Sequence, residues 1–187
     1  MHKYGVKLPT SLDEAKRLDE RNMNTLWIDT INKEMENLKL AFDILKDWAK
    51  PPVGYNKASR HLVFNVWMTL EQKAKWVKDR HKTPEPEWST FARVVSRESG
   101  RIALTYAVLD ELPVCTCNIQ NTYLQVSSSK KHYVICGPEF GLENIGKYII
   151  IVRALYSGKS AGADYWHHIH SAMEEMVFTS CKADPDA

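Results

Sequence analysis

The sequence contains few cysteines, no long apolar run and no glycine-rich phosphate-binding loop. Four cysteines in 187 residues are too few for a disulfide scaffold, so we expect reduced thiols. No apolar stretch approaches the length of a membrane-spanning helix. The opening residues, MHKYGVKLPT, lack the apolar centre of a secretory signal. We therefore expect a cytoplasmic protein with no membrane partner.

The charge of the sequence is unevenly distributed, although its composition is that of an ordinary soluble protein. The segment 51–82 carries seven Lys or Arg residues against two acids, a net charge of +5, which leaves −3 for the rest of a chain whose total is +2. A local basic excess suggests a polyanionic partner, but a solvated basic face explains it more simply. The basic residues are Lys57, Arg60, Lys73, Lys75, Lys78, Arg80 and Lys82.

A capping box marks the first predicted helix. Ser11 can accept a hydrogen bond from the Glu14 N–H while the Glu14 side chain reaches back, so a helix is predicted at about 12–21. A second helix is predicted after a cap at Asn24 or Thr25, because the following apolar residues recur at helical spacing. The next stretch, LAFDILKDW, suits either a continued helix or a strand.

Alternating apolar residues predict a basic β-hairpin after the second helix. HLVFNVWM has apolar residues at every second position through Met68, and KAKWV follows after a short turn. Lys73 and Lys75 are two positions apart and therefore share one face of the second strand.

The second half of the chain combines helices and strands in no regular order, so the predicted fold class is α+β. Helices are predicted at about 99–112, with Ile102, Tyr106 and Leu109 facing inward, and at about 161–177. VCTCNIQ, HYVIC and YIIIVRAL are predicted strands, and the β-branched residues of the last predict burial on both faces.

Two local groups of residues could carry chemistry. His167, His170 and Glu174 share one helix face and could bind a divalent metal, but a partly exposed helix with clustered histidines explains them more simply. Cys115 and Cys117 are best interpreted as small buried apolar residues, because the sequence places no histidine or helix terminus beside them to lower a thiol pKa.

An ordered set of motifs resembles the reverse transcriptase of copia-type retrotransposons. The resemblance extends from Asn24 to Asp186, and its specificity lies in the order of the pieces. They are NTLWIDTINKEMENL, PPVGYNKASRHLVFNV, KAKWV, VVSRESGRIAL, NIQNTYL, GPEFG, IIIVRALY, GKSAGA and SCKADPD.

The resemblance implies a right-hand polymerase fold, of which this chain holds the fingers and part of the palm. The implied divisions are an N-terminal extension (1–23), a fingers-like region (24–112) and a partial palm (113–187). The implied function is that of an RNA-directed DNA polymerase fragment from a retrotransposon polyprotein. Its partners would be an RNA or DNA template–primer and the rest of the palm, the thumb and an RNase H region.

The resemblance also implies residues that bind nucleotide or template. Lys73 and Lys75 match basic residues expected to contact triphosphate or template, and their charge suits phosphate. Tyr123 matches the aromatic residue that packs beneath the deoxyribose. Arg101 and Lys159 match further template- and nucleotide-pocket residues.

The metal site of the family is incomplete in this sequence. Asn118 occupies the position of the first catalytic aspartate, and the family is expected to use two Mg²⁺ ions. An amide offers one neutral oxygen where a hard cation prefers a carboxylate. The family's Asp–Asp hairpin, part of a Tyr-Val-Asp-Asp motif, would follow Asp186. We therefore expect no productive Mg²⁺ binding and no polymerisation by this chain alone.

Other positions depart from the family pattern. The family has AGGH where this chain has KDRH (78–81), and LYGLK where it has LYSGK (155–159). Asp164 stands where a basic residue is common. Besides a decayed polymerase fragment, the sequence permits a domesticated nucleic-acid-binding or scaffold protein, and, less simply, an unrelated metal enzyme centred on the histidine cluster.

Overall fold

The computed structural model describes residues 1–79, 94–156 and 158–182, and these residues form the predicted α+β fold. Arg80, Lys82, Ser157 and Asp186, which the sequence analysis singled out, lie outside this part of the chain. No helix among the described residues is long and apolar enough to cross a membrane. The helices are α1 (Leu12–Asn22), α2 (Leu26–Leu38), α3 (Arg97–Leu109) and α4 (Ala161–Glu175).

Helices α1 and α2 form a compact pair whose junction is organised by a buried carboxylate. The Glu14 N–H donates to Ser11 Oγ over 3.2 Å, which confirms the predicted start of α1. Of the two predicted caps of α2, Thr25 occupies the N-cap position, but its side chain makes no capping hydrogen bond. The buried Asp19 instead accepts hydrogen bonds from the Trp27 and Ile28 N–H groups at 3.1 and 2.9 Å. A carboxylate satisfies the unpaired N–H groups of a helix start and suits its positive dipole.

The predicted hairpin is present and packs on α2. Strands β5 (Arg60–Val66) and β6 (Gln72–Lys78) pair antiparallel. Thr30 and Glu34 of α2 accept hydrogen bonds from the N–H groups of Ala74 and Trp76 at the outer edge of β6. The helix therefore covers backbone groups that an edge strand would otherwise expose. The predicted alternation through Met68 stops earlier, because β5 ends at Val66 and Met68 is exposed beyond it.

A four-stranded sheet forms the second part of the fold. Its order is β3–β8–β7–β4, with β4 parallel to β7 and the other pairs antiparallel. The ambiguous LAFDILKDW stretch forms a short 3₁₀ turn and then β3. The expected burial of YIIIVRAL on both faces is confirmed at its centre, because the consecutive residues Ile149, Ile150 and Ile151 are all buried and successive side chains point to opposite faces of the sheet. The strands are β3 (Phe42–Ile44), β4 (Asn56–Lys57), β7 (Ser127–Ile135) and β8 (Tyr148–Arg153), and a separate small hairpin pairs β1 (His2–Lys3) with β2 (Val6–Lys7).

Trp76 joins the hairpin to the sheet. Its ring lies 5.0 Å from that of Phe42 and 6.0 Å from that of Phe140, both edge-to-face. It belongs to a core that also contains Leu38 of α2 and Ile149 of β8, while a second cluster around Trp27 joins α1, α2 and the hairpin. The division of the chain into an N-terminal extension (1–23), a fingers-like region (24–112) and a partial palm (113–187) stays a prediction.

The segment from α3 to residue 120 differs most from expectation. Helix α3 ends three residues earlier than predicted and buries none of its side chains, so the inward orientation of Ile102, Tyr106 and Leu109 is wrong. VCTCNIQ forms no strand, and Cys115 and Cys117 are exposed rather than buried. A strand forms only where another strand satisfies its backbone groups, and none of the described residues pairs with this stretch.

Candidate functional site

One lysine and three tyrosines form a cluster between the hairpin and α4. The Lys75 Nζ atom lies 4.8 Å from the centroid of the Tyr156 ring, a cation–π geometry. Tyr156 lies edge-to-face against Tyr123 with centroids 5.3 Å apart, and Tyr123 lies 6.2 Å from Tyr165 of α4. We call these four residues the lysine–tyrosine cluster. It brings together two residues that the sequence predicted as binding residues, Lys75 and Tyr123.

Three of the four members of the cluster have buried neighbours in the chain. Lys75 alternates on β6 with the buried side chains of Ala74 and Trp76, so it is directed outward. Tyr123 lies in a 3₁₀ turn, Thr122–Gln125, that is anchored by the buried Leu124. Tyr156 follows the buried residues Ala154 and Leu155, which come directly after β8. Sequence reasoning did not assign Tyr156 a role, although the quoted IIIVRALY motif contains it.

Glu34 supplies a negative charge beside this cluster. Its carboxylate accepts a hydrogen bond of 3.2 Å from the Trp76 N–H. Burial raises the pKa of Glu34, while the Trp76 N–H and the ammonium groups of Lys75 and Lys73 act in the opposite direction. Burial also raises the pKa of Tyr156, and the charge of Glu34 adds to this effect. Tyr156 is therefore a neutral phenol at physiological pH, able to donate a hydrogen bond.

Lys73 shares the outer face of β6 with Lys75, as predicted, but has different neighbours. It pairs across the hairpin with Asn65, whereas Lys75 pairs with Val63. The Lys73 Nζ atom lies 4.4 Å from the Trp67 ring centroid, at the hairpin turn. The two predicted phosphate contacts therefore lie on one face but beside different aromatic residues.

The other predicted site residues are not packed into the cluster. Asn118 is exposed in a stretch without regular structure, and Arg101 is exposed on α3. Within the described ranges, neither side chain has a hydrogen bond or ring contact that joins it to the cluster. Lys159 is half-buried immediately before α4 and has an interaction of its own. Their roles in binding stay predictions.

A buried polar group beside the sheet was not anticipated from the sequence. The Lys78 ammonium lies 3.2 Å from His132 Nδ1, and both residues are buried. The Asp164 carboxylate accepts hydrogen bonds from the Ser129 and Ser160 hydroxyls, each at 3.1 Å. Burial lowers the pKa of Lys78 to about 8, and the charge of Asp164 opposes that shift. Two positions that depart from the family pattern, Lys78 and Asp164, are thus electrostatically linked.

The residues described do not supply a ligand set for a metal ion. Asn118 offers a neutral amide oxygen, and no group of three or more His, Cys, Asp or Glu side chains in residues 1–79, 94–156 and 158–182 is arranged to hold a metal. In the histidine cluster, His170 Nδ1 lies 3.5 Å from Glu174 and Nε2 lies 3.3 Å from the Ser180 hydroxyl, while His167 is exposed against Trp166.

Comparison of the chain with protein-family models, with curated proteins and with solved structures found no match. The resemblance to copia-type reverse transcriptases therefore stays a prediction that rests on the ordered motifs.

Proposed function

We propose that this chain is a reverse-transcriptase-like fragment, with fingers and part of a palm, that binds nucleic acid and does not polymerise DNA by itself. The observation that supports this best is the convergence of Lys75 and Tyr123 on Tyr156. The resemblance assigns these two residues to one nucleotide-binding surface, and they come from distant parts of the sequence.

The chemistry of the lysine–tyrosine cluster suits a nucleotide. An ammonium group neutralises phosphate charge, and tyrosine rings provide flat apolar surfaces for a sugar or a base. In this proposal the β5–β6 hairpin is the fingers element and the β3–β8–β7–β4 sheet is part of the palm. Mg²⁺, the expected cofactor of the family, is not bound productively, because Asn118 replaces a carboxylate.

Binding to a primer–template duplex tests the proposal. We expect weak, sequence-independent binding that falls steeply as salt concentration rises, because the contacts are to phosphates. Lys75→Ala should reduce the slope of log affinity against log salt by about 1. Tyr123→Ala should weaken binding at every salt concentration without changing that slope.

Lys16→Ala is the matched control, since Lys16 is an exposed lysine on α1, away from the cluster. Equal salt slopes for Lys75→Ala, Lys16→Ala and the unmodified chain would refute the assignment of the hairpin as a nucleic-acid contact.

A domesticated nucleic-acid-binding or scaffold protein is the second candidate. The buried contact of Lys78 with His132 at 3.2 Å favours it, because a residue that departs from the family pattern is packed into the fold. A complementary deoxynucleoside triphosphate discriminates between the two. It should strengthen retention of primer–template if the polymerase-type pocket persists, and should have no effect if only a general binding surface remains.

A further inference from the structure

A cavity lies where the N-terminal hairpin meets the turn of the β5–β6 hairpin. Its volume is about 350 Å³, and its walls come from both hairpins. The lining residues are Lys3, Tyr4, Val66, Trp67, Met68 and Thr69. Lys3 and Tyr4 precede the part of the sequence that resembles the polymerase family, so the resemblance assigns no role to their wall of the cavity.

Two aromatic residues at the cavity each have an ammonium group over one ring face. The Lys3 Nζ atom lies 5.4 Å from the Tyr4 centroid, and the Lys73 Nζ atom lies 4.4 Å from the Trp67 centroid. Tyr4 and Trp67 nevertheless stay 52% and 50% exposed. The exposed surface of each ring is therefore open to a flat ligand that stacks on it.

Hydrogen bonds close the turn that carries Trp67 and tie the N-terminal hairpin to β5. The Trp67 N–H donates to the Glu71 carbonyl over 2.9 Å, and the Leu70 N–H donates to the Trp67 carbonyl over 2.9 Å, so the turn that carries Trp67 is closed at both ends. The Lys3 ammonium donates to Asn65 Oδ1 over 2.6 Å, which ties the N-terminal hairpin to β5. A preorganised surface loses less conformational entropy when it binds.

We propose that Tyr4 and Trp67 stack against unpaired bases of a single-stranded nucleic acid whose phosphates contact Lys3 and Lys73. This inference rests on the proposed function, since it extends the nucleic-acid surface of the hairpin. Aromatic rings interleaved with cations are the common feature of proteins that bind single strands without sequence preference. None of the residues that line the cavity is acidic, which suits a polyanion. A duplex keeps its bases stacked inside and cannot use the two rings.

The test measures the affinity of the unmodified chain and its variants for a short fluorescent oligonucleotide of dT, for one of rU, and for a duplex with the same number of phosphates. We expect Trp67→Ala and Tyr4→Ala each to weaken single-strand binding about tenfold, a typical loss for one stacked base. The salt slope and the duplex affinity should stay unchanged. Equal losses of affinity for dT and rU would show that the site recognises the base and phosphate groups that DNA and RNA share. A larger loss for one oligonucleotide would identify that type of nucleic acid, DNA or RNA, as the ligand.

Trp48→Ala is the matched control, because Trp48 is 81% exposed but lies outside the cavity. Trp67→Phe should keep most of the affinity, since phenylalanine still stacks, and should remove the fluorescence quenching that a base causes when it covers the indole.

Two outcomes would overturn the inference. One is that Trp67→Ala and Tyr4→Ala bind single strands as well as Trp48→Ala does. The other is that the unmodified chain does not bind single strands. Neither outcome decides the proposed function, which depends on the Lys75-dependent binding of a primer–template duplex.

Discussion

The ammonium group of Lys78 lies 3.2 Å from Nδ1 of His132, where both side chains are buried. Burial, together with the positive charges of Lys78 and Lys130, lowers the pKa of His132 to about 4. His132 is therefore neutral at physiological pH and accepts a hydrogen bond from the lysine. Protonation of the histidine would place two positive charges side by side.

This pair predicts a loss of stability in mild acid. The unfolded chain takes up a proton on His132 near pH 6.5, whereas the folded chain resists doing so until about pH 4. The free energy of unfolding therefore keeps its full value with respect to His132 above pH 6.5. It falls by about 1–3 kcal/mol as the pH is lowered from 6.5 towards 4. Urea unfolding at a series of pH values measures it.

His132→Gln should flatten that pH dependence, because a glutamine oxygen can accept the same hydrogen bond and does not titrate. His167→Gln, at an exposed position, is the control and should leave the profile unchanged. An identical acid loss in His132→Gln would assign the effect to another group.

Lys78 and Asp164 should show measurable coupling. We expect the free-energy losses of Lys78→Met and Asp164→Asn to be non-additive, with a coupling energy of about 0.5–2 kcal/mol, because the Asp164 charge favours the charged form of the buried Lys78. Lys147 and Asp47 form a control pair at 3.1 Å in which Asp47 is exposed, and their coupling should not exceed about 0.5 kcal/mol. Additive losses for Lys78 and Asp164 would show that the two departures from the family pattern are unrelated.

The 187-residue chain should not incorporate nucleotides. The assay uses labelled nucleotide on a primed RNA template with Mg²⁺ or Mn²⁺. Asn118→Asp alone should also be inactive, because the resemblance implies two further metal-binding carboxylates, those of the Asp–Asp hairpin, which residues 1–187 do not include. Activity should require that substitution together with a family-type Asp–Asp hairpin. Incorporation by the unmodified chain would refute the interpretation of Asn118 as a catalytic position that lacks its metal-binding carboxylate.

Helix α3 should promote self-association. Its apolar side chains are exposed, and none of its residues is buried among the described parts of the chain. Contiguous apolar surface of this kind favours association in water. We expect Ile102→Glu and Leu109→Glu to reduce the average mass found by sedimentation, while Val53→Glu, at another exposed apolar residue, should not. A monomer at all accessible concentrations would contradict this prediction.

The sequence predicted those elements whose signals are local. Ser11 begins α1 because its hydroxyl and the Glu14 N–H are neighbours in the chain, and the hairpin follows from strict alternation beside a short turn. Lys73 and Lys75 were correctly placed on one face by the same alternation. These features depend on residues within a few positions of one another, which a pattern can capture.

Features that depend on distant residues could not be predicted. The cap of α2 by Asp19, the buried Lys78–His132 contact and the approach of Tyr156 to Lys75 each need a topology that no local pattern specifies. For the same reason VCTCNIQ has the composition of a strand but pairs with none of the strands in the described part of the chain. The spacing of Ile102 and Leu109 likewise indicates a helix without indicating what its apolar side would contact.

The sheet order has a consequence for the time at which each part of the chain can fold. The buried residues of the cluster around Trp27 come from α1, α2 and the hairpin, and Val6 and Leu8 pack against them, so this cluster can form once β6 has been synthesised. The sheet instead pairs β3 with β8, more than a hundred positions later. Closing so long a loop is slow. The N-terminal half should thus gain protection from hydrogen exchange first during refolding. Until β7 and β8 have folded, β3 and β4 are unpaired strands with which other chains could pair.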